Sequence, residues 1–207
     1  MTSWNLEMDD DQLDSLKEVG NVGAGHAASE LATLIGRKCV VSVPELTCTD
    51  AAGIGEFMKG PDTMVVALHM SVLGDIPANM LVLTRRSHAQ LMLNYMSPTS
   101  APQAEQNEEA FKLALRQLGE VLTRSFADAI SHFLGTNAPY AFTEAINGGK
   151  GGIVAGVFPA SEPQPGPYMA VHADFFDEEK TIQGKLVYLL SSRSQALILE
   201  RIEQLLG

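Results

Sequence analysis

The sequence predicts an α+β fold in which two duplicated halves share one antiparallel sheet with pseudo-two-fold symmetry. Each half has a long apolar stripe at helical spacing, and the stripes end at Gly36 and Gly135, 99 residues apart. Each also has a matching strand-to-helix junction, at residues 83–89 and 190–196. Repetition of helix, strands and helix in the same order indicates an internal duplication, with the helices packed on the shared sheet.

The first helix is predicted to run from the acidic cluster at residues 9–11 to about residue 35, with Gly36 ending it. Asp side chains suit a helix start because they accept hydrogen bonds from its free N–H groups and complement the helix dipole. Gly20 and Gly23 lie inside the helix near its buried stripe. Glycine within a helix costs up to about 1 kcal/mol relative to Ala. We therefore expect close packing against another helix at these positions.

The remaining elements follow the same logic. Short β-branched runs predict strands, amphipathic runs predict helices, and segments rich in Gly and Pro predict turns. The predicted strands are 38–43, 63–72 and 78–84, the segment 45–62 is turn-rich, and the further helices are 87–96 and 109–134. We expect one domain over 1–207, with pseudo-repeats at about 10–96 and 109–207 joined by a loop at 97–108 and an insertion near 160–167 in the second repeat.

Composition excludes several classes of protein. The chain has 207 residues and a formal net charge of −11, which argues against nucleic acid and anionic membrane surfaces as partners. Its N-terminus lacks the features of a signal peptide, and no apolar run approaches the ~18 residues needed to span a bilayer. Cys39 and Cys48 form no Cys-x-x-Cys pair, so reduced, partly buried thiols are expected. A cytoplasmic protein without membrane insertion is the prediction.

The first helix carries an unusual polar face. Asp14, Glu18 and Asn21 are spaced i, i+4 and i+7, which places them within roughly a 60° arc. Gly25 and Ala28 continue that side with small residues, while the apolar stripe faces elsewhere. A polar triplet followed by small residues indicates a surface that another protein's backbone approaches closely.

The pattern Asp14-x3-Glu18-x2-Asn21-x22-Pro44 resembles the signature of the CheC/CheX/FliY family of chemotaxis phosphatases, and the duplicated half also matches that family. The resemblance covers essentially the whole chain and implies hydrolysis of the aspartyl phosphate of a CheY-type response regulator. It also implies CheD, the receptor deamidase, as a further partner. FliY-like members carry an additional C-terminal domain, for which 207 residues are expected to leave no room, so a CheC or CheX type is the better match.

The chemistry assigns roles to these residues. Phosphoryl transfer asks a protein mainly for positioning and electrostatics. The Asn21 amide can accept a hydrogen bond from water and donate one to another group, so Asn21 is the candidate for orienting the attacking water. Within the family, Glu18 is expected to anchor to the regulator's active-site lysine. Asp14 extends the acidic edge, Gly25 permits close docking, and Pro44 holds the adjoining backbone. No cofactor or metal of its own is expected, since magnesium belongs to the partner regulator.

The second repeat lacks this pattern. The positions equivalent to Asp14, Glu18, Asn21 and Gly25 are Leu113, Gln117, Glu120 and Arg124, and no proline recurs at the matching distance. The prediction is therefore one working site. Two alternatives stay open: a weakly catalytic or non-catalytic module that binds CheD or a regulator, and a phosphatase for a regulator outside chemotaxis.

Three weaker signals have simpler interpretations. The glycine-rich stretch 147–152 lacks the spacing of a phosphate-binding loop, so a mobile hairpin turn is expected. His172, Asp174 and Asp177 lack a second histidine at ligand spacing, so exposed strand positions are expected rather than a metal site. The other four histidines, at positions 26, 69, 88 and 132, are isolated in the sequence and are expected at ordinary surface or core positions.

Overall fold

Two long helices dominate the computed structural model, which describes residues 9–50, 52–57, 65–96, 107–148, 150–157 and 167–206. Helix α1 spans Asp10–Ile35 and helix α3 spans Glu108–Leu134. Asp9 caps α1 by accepting a hydrogen bond from the backbone N–H of Gln12 at 2.8 Å. Both helices end at a glycine in the left-handed region, with φ 65° at Gly36 and 60° at Gly135. The predicted helix ends are therefore confirmed.

The other elements complete two similar halves. The first half adds strands β1 to β4 and helix α2, and the second adds β5, α4, β6, β7 and α5. Their bounds are β1 Cys39–Val41, β2 Glu45–Thr49, β3 Val65–Val72, β4 Ala78–Arg85, α2 Arg86–Met96, β5 Tyr140–Gly148, α4 Lys150–Val157, β6 Tyr168–Asp177, β7 Gln183–Leu190 and α5 Ser192–Leu206. A short 3-10 turn, Gly53–Phe57, lies between β2 and β3.

One antiparallel sheet joins the halves. The strand order is β1-β6-β7-β4-β3-β5, and β2 pairs with a different stretch of the same β6 edge as β1. The order is symmetric about the central β4–β7 pair. On one side β1 and β2 of the first half pair with β6 of the second, and on the other side β5 of the second half pairs with β3 of the first. The predicted α+β fold with duplicated halves is confirmed.

The main core lies between the helices and one face of the sheet. Leu16, Leu31, Phe111 and Phe126 bring α1 and α3 onto β3, β4, β6 and β7 there. A smaller apolar cluster lies on the opposite face, where Ile54 and Val157 cover the sheet. Near the end of α3, the apolar side chain of Phe133 is 40% exposed and lies outside this core.

Several local predictions were wrong. Residues 45–49 form an edge strand with little burial, so the strand leaves almost no apolar signal in the sequence. The glycine-rich stretch is not a hairpin turn, because Asn147 and Gly148 end β5 and Lys150 begins α4. Most of the predicted 97–108 loop and of the 160–167 insertion lies outside the described residues.

Candidate functional site

The exposed face of α1 presents the predicted triplet to solvent. Asp14, Glu18 and Asn21 are all exposed, whereas Leu16 and Val19 between them are buried. The buried residues fix the rotation of the helix, because they pack in the main core. The helix therefore holds the three polar side chains on one outward face without using them in the fold.

The polar side chains differ in their contacts. The Asp14 carboxylate accepts a hydrogen bond from Lys17 Nζ at 2.8 Å, in an exposed pair. Within the part of the chain that the structure describes, neither the Glu18 carboxylate nor the Asn21 amide has a hydrogen-bond or ion-pair partner. Both groups remain available to an incoming molecule, and Asp14 is partly neutralised by its neighbour.

Pro44 packs against Gly20, the residue of α1 that precedes Asn21. The proline is buried between β1 and β2. A Cβ added to Gly20 would stand 3.2 Å from Pro44 Cβ and 2.5 Å from Val171 Cγ1. Glycine is needed here because proline and the β6 strand lie against the helix backbone, one residue before Asn21. The prediction of helix–helix packing was wrong for Gly20, since its neighbours come from the sheet side.

Gly23 and Gly25 serve different surfaces. A Cβ on Gly23 would stand 2.9 Å from the ring of Phe126, so this glycine does pack against another helix, as predicted. A Cβ on Gly25 would meet nothing within 4 Å. Ala28, predicted on the exposed strip, is instead buried at 8% exposure. Of the two small residues predicted on this strip, Gly25 is exposed and Ala28 is not.

A groove of about 420 Å³ adjoins this face between α1 and α3. Its walls include Val22 and His26 from α1, with Arg124, Asp128 and His132 from α3. The sequence does not show that these residues are neighbours, because residues about 100 positions apart meet only through the packing of the two helices. Arg124, the counterpart of Gly25 in the second repeat, therefore lies in the groove beside the α1 face.

The equivalent face of α3 is also turned to solvent but has different chemistry. Leu113 is 61% exposed at the position of Asp14. Glu120, at the position of Asn21, accepts a hydrogen bond from Arg116 Nε at 2.9 Å. Gln117 is exposed. The fold therefore conserves the exposure of this face between the halves, whereas its polar groups differ.

The predicted exposed positions on β6 are partly wrong. His172 is 7% exposed and its Nε2 lies 2.9 Å from Thr47 Oγ1, while its ring centroid is 4.7 Å from that of Phe57. Asp177 is fully buried, and only Asp174 is exposed. No group of three or more His, Cys, Asp or Glu side chains among the described residues is arranged to hold a metal ion.

Asp177 anchors a structural cluster that the sequence did not reveal. Its carboxylate accepts hydrogen bonds from the Ile182 N–H at 2.8 Å and from the Thr181 hydroxyl at 2.6 Å, and it lies 3.2 Å from the Arg37 guanidinium. Burial raises the pKa of Asp177, but these partners together lower it further, so the net pKa lies below its ordinary value. The pKa of the neighbouring Cys39 thiol is raised to about 11, chiefly by burial and also by the Asp177 charge, with Arg37 opposing the shift.

The free thiols match the prediction only in part. Cys39 is partly buried, whereas Cys48 on the edge strand β2 is exposed.

Among the described residues, no helix combines the length and the apolar character that crossing a bilayer requires.

Comparison with known proteins matches the first helix and the segment after it to a known family. A family model described as the CheC-like family matches residues 12–47, which include all five predicted site residues. The predicted resemblance to the CheC/CheX/FliY family is confirmed. CheY-P phosphatase CheC of Bacillus subtilis (strain 168) is 28% identical over 124 residues, 59% of this chain. The chain also spans 59% of the length of that relative.

Solved structures show that the fold is shared with FliY, FliM and CheX proteins. Thermotoga maritima FliY has a TM-score of 0.73 at 16% identity, covering 95% of this chain and 98% of that one. The FliM middle domain from H. pylori has a TM-score of 0.64 at 10% identity, covering 94% and 99%. CheX in the CheX-CheY-BeF3-Mg+2 complex from Borrelia burgdorferi has a TM-score of 0.51 at 11% identity, covering 84% and 97%.

Proposed function

We propose that this chain hydrolyses the aspartyl phosphate of a CheY-type response regulator in chemotaxis signalling. The observation that supports this most is the exposed pair of Glu18 and Asn21, which carries the family spacing and makes no side-chain hydrogen bond or ion pair within the described chain. The curated relative is itself a CheY-P phosphatase, and one structural neighbour is a complex of CheX with CheY. The regulator's phosphoryl group would be the substrate, with magnesium supplied by the regulator.

The proposed chemistry is displacement at phosphorus by water. Water attacks the phosphorus, and the bond from phosphorus to the regulator's carboxylate oxygen breaks with its electron pair staying on the carboxylate. The inorganic phosphate leaves with the oxygen of the water and both of its protons, as dihydrogen phosphate. Asn21 would accept a hydrogen bond from the attacking water and hold it in line with that bond. An amide suits this position better than a carboxylate, because a negative charge would repel the phosphoryl oxygens.

Glu18 and the surrounding residues would set the docking geometry. One helical turn before Asn21, the Glu18 carboxylate would pair with a cation of the regulator, which the family resemblance identifies as its active-site lysine. Pro44 and Gly20 would fix the backbone beside Asn21 through their direct packing. Asp14, already paired with Lys17, would contribute only at the edge of the contact.

The test is phosphate release from a phosphorylated CheY-type regulator by the double variant Glu18→Ala with Asn21→Ala. We expect release to fall to the regulator's own rate. The matched control is Gln117→Ala with Glu120→Ala, which makes the same kind of change on the equivalent face of α3 and should keep wild-type activity. A double variant as active as the wild type would show that the site assignment is wrong.

Gly25 offers a separate test of docking. Because a Cβ here meets nothing within 4 Å, Gly25→Ala and Gly25→Leu should both stabilise the free protein, by about 0.5–1 kcal/mol for the alanine. The leucine would project from the docking face, so we expect its KM for the regulator to rise with little change in kcat. Steady-state phosphatase kinetics and thermal melting measure both effects. An unchanged KM for Gly25→Leu would place docking elsewhere.

A second candidate function is a binding module with little turnover, for CheD or for a regulator. The α3 face favours it, because Leu113 is exposed there and the catalytic residue types are missing. Turnover that appears only when CheD copurifies with the chain would support a regulated combination of both functions. A phosphatase acting on a regulator outside chemotaxis would be recognised by assaying a panel of phosphorylated regulators.

A further inference from the structure

A second groove, of about 370 Å³, lies where the ends of β4, β6 and β7 meet. Arg85, Asp174, Lys180 and Lys185 line it, together with His88. Asp174 and Lys185 project from the sheet face opposite α1 and α3, because the alternating residues on each strand pack in the main core beneath those helices. This basic groove is therefore separate from the α1 face.

The charge of the basic groove contrasts with that of the chain. The whole protein has 14 Lys and Arg residues and a net charge of −11, yet three of its cations line this one groove with a single carboxylate. The Lys185 ammonium lies 2.7 Å from the Asp174 carboxylate, which neutralises one cation. Arg85 and Lys180 have no carboxylate partner among the described residues. Two positive charges are thus left uncompensated.

The turn between β6 and β7 places its acidic side chains near the end of α1 and its lysine on the side of the basic groove. Glu178 and Glu179 pair with Lys38 and Arg37, each at 2.6 Å, near the end of α1. The next residue, Lys180, has φ 56° and places its ammonium 5.6 Å from the centre of the Phe176 ring, on the groove side. The acidic residues nearest in sequence therefore do not neutralise the groove.

Several groups in the basic groove are already held in place. Lys185 is only 9% exposed and is fixed by its cross-strand partner Asp174. The His88 Nδ1 lies 3.1 Å from the Gln183 carbonyl oxygen and 3.2 Å from the Gln183 nitrogen, so the main chain of β7 fixes the imidazole. Fixed donors lose less conformational entropy when a ligand binds. The half-buried Phe57 ring adds an apolar wall.

We infer that the basic groove binds a small phosphorylated molecule. Guanidinium and ammonium groups together suit phosphate oxygens, since Arg can bind two of them at once and Lys adds a point charge. The volume falls at the lower end of the range for small-molecule sites, roughly 300–1,000 Å³. Arg85 and Lys180 would supply the charge, the imidazole of His88 would add a donor, and Phe57 would contact an apolar or planar part of the ligand.

Binding is tested on the full chain with two probes, pyrophosphate and ADP. Calorimetry gives the affinity, and amide NMR shifts of Gly184 and Lys185 report the place. We expect saturable binding that weakens roughly tenfold or more in Arg85→Gln with Lys180→Gln, and that falls as salt rises. The matched control, Arg193→Gln with Lys112→Gln, removes the same charge away from the groove and should bind as the wild type does.

Three results would overturn the inference. The first is that neither probe binds the wild type saturably. The second is that the control variant binds the probes as weakly as Arg85→Gln with Lys180→Gln does. The third is that the probes change the amide NMR shifts of α1 and α3 only. Tighter binding of ADP than of pyrophosphate would support a contact with Phe57, and Phe57→Ala should then remove the difference. Because the groove and the α1 face share no lining residue, loss of phosphatase activity in the α1 variants would leave this binding unchanged.

Discussion

Asn21→Ala is expected to slow phosphate release from a phosphorylated CheY-type regulator by about 10- to 1000-fold, or ~1.4–4 kcal/mol of activation free energy. The variant removes the amide proposed to hold the attacking water and leaves the Glu18 anchor intact. The loss should therefore appear in kcat, with KM for the regulator nearly unchanged. Steady-state assays over a range of regulator concentrations separate the two constants.

The stability of Asn21→Ala should not fall with its activity. The Asn21 side chain is exposed and makes no hydrogen bond with the described residues, and alanine has a higher helix propensity than asparagine. We therefore expect Asn21→Ala to melt at the wild-type temperature or slightly above it. A loss of activity accompanied by a lower melting temperature would indicate a structural defect instead of a missing catalytic group.

Two further variants distinguish the proposed roles. Asn21→Asp has nearly the same shape but adds a negative charge near the phosphoryl oxygens, so it should be at least as inactive as the alanine variant. Glu18→Ala should act mainly on KM, because its carboxylate is assigned to docking. If Glu18→Ala lowered kcat as strongly as Asn21→Ala with no change in KM, the division of roles between the two residues would be wrong.

The helices were predictable because their signals are local and repeated. The stripes of α1 and α3 extend over many turns, and both helices end at a glycine with positive φ. The face of Asp14, Glu18 and Asn21 was predictable for the same reason, since helical spacing alone determines which residues share a side. These features need no knowledge of which segments meet in space.

Features that depend on partners distant in sequence were not predictable. The edge strand β2 shows almost no apolar alternation, and it exists because β6 lies beside it. Gly20 was assigned to helix packing, but its neighbours Pro44 and Val171 come from the sheet side. Asp177 was predicted to be an exposed strand residue, because its local sequence gives no sign of its ion pair with Arg37, which lies 140 positions earlier. Burial of a polar side chain is a property of the assembled fold.

Asp177→Ala is expected to lower the free energy of unfolding by about 3–5 kcal/mol at neutral pH. The variant leaves the buried N–H of Ile182 without its acceptor and leaves the Arg37 guanidinium without its buried partner. Urea denaturation measures the loss. The control is Glu178→Ala, from the same turn, whose ion pair with Lys38 is solvent-exposed and should contribute little. Equal losses in the two variants would contradict a special role for the buried carboxylate.

The lowered pKa of Asp177 also predicts the pH dependence of this stabilisation. Because the pKa is lower in the folded protein than in the unfolded chain, the unfolded chain takes up the proton first as the solution is acidified. The contribution of Asp177 is therefore fully present above the unfolded value of about 4 and is lost as pH falls through the folded value. Asp177→Asn keeps the shape but lacks this titration. The stability difference between the wild type and Asp177→Asn should be constant from pH 5 to pH 7 and should shrink below about pH 4. A difference that stayed constant into strong acid would mean that the charge of Asp177 contributes nothing to folding.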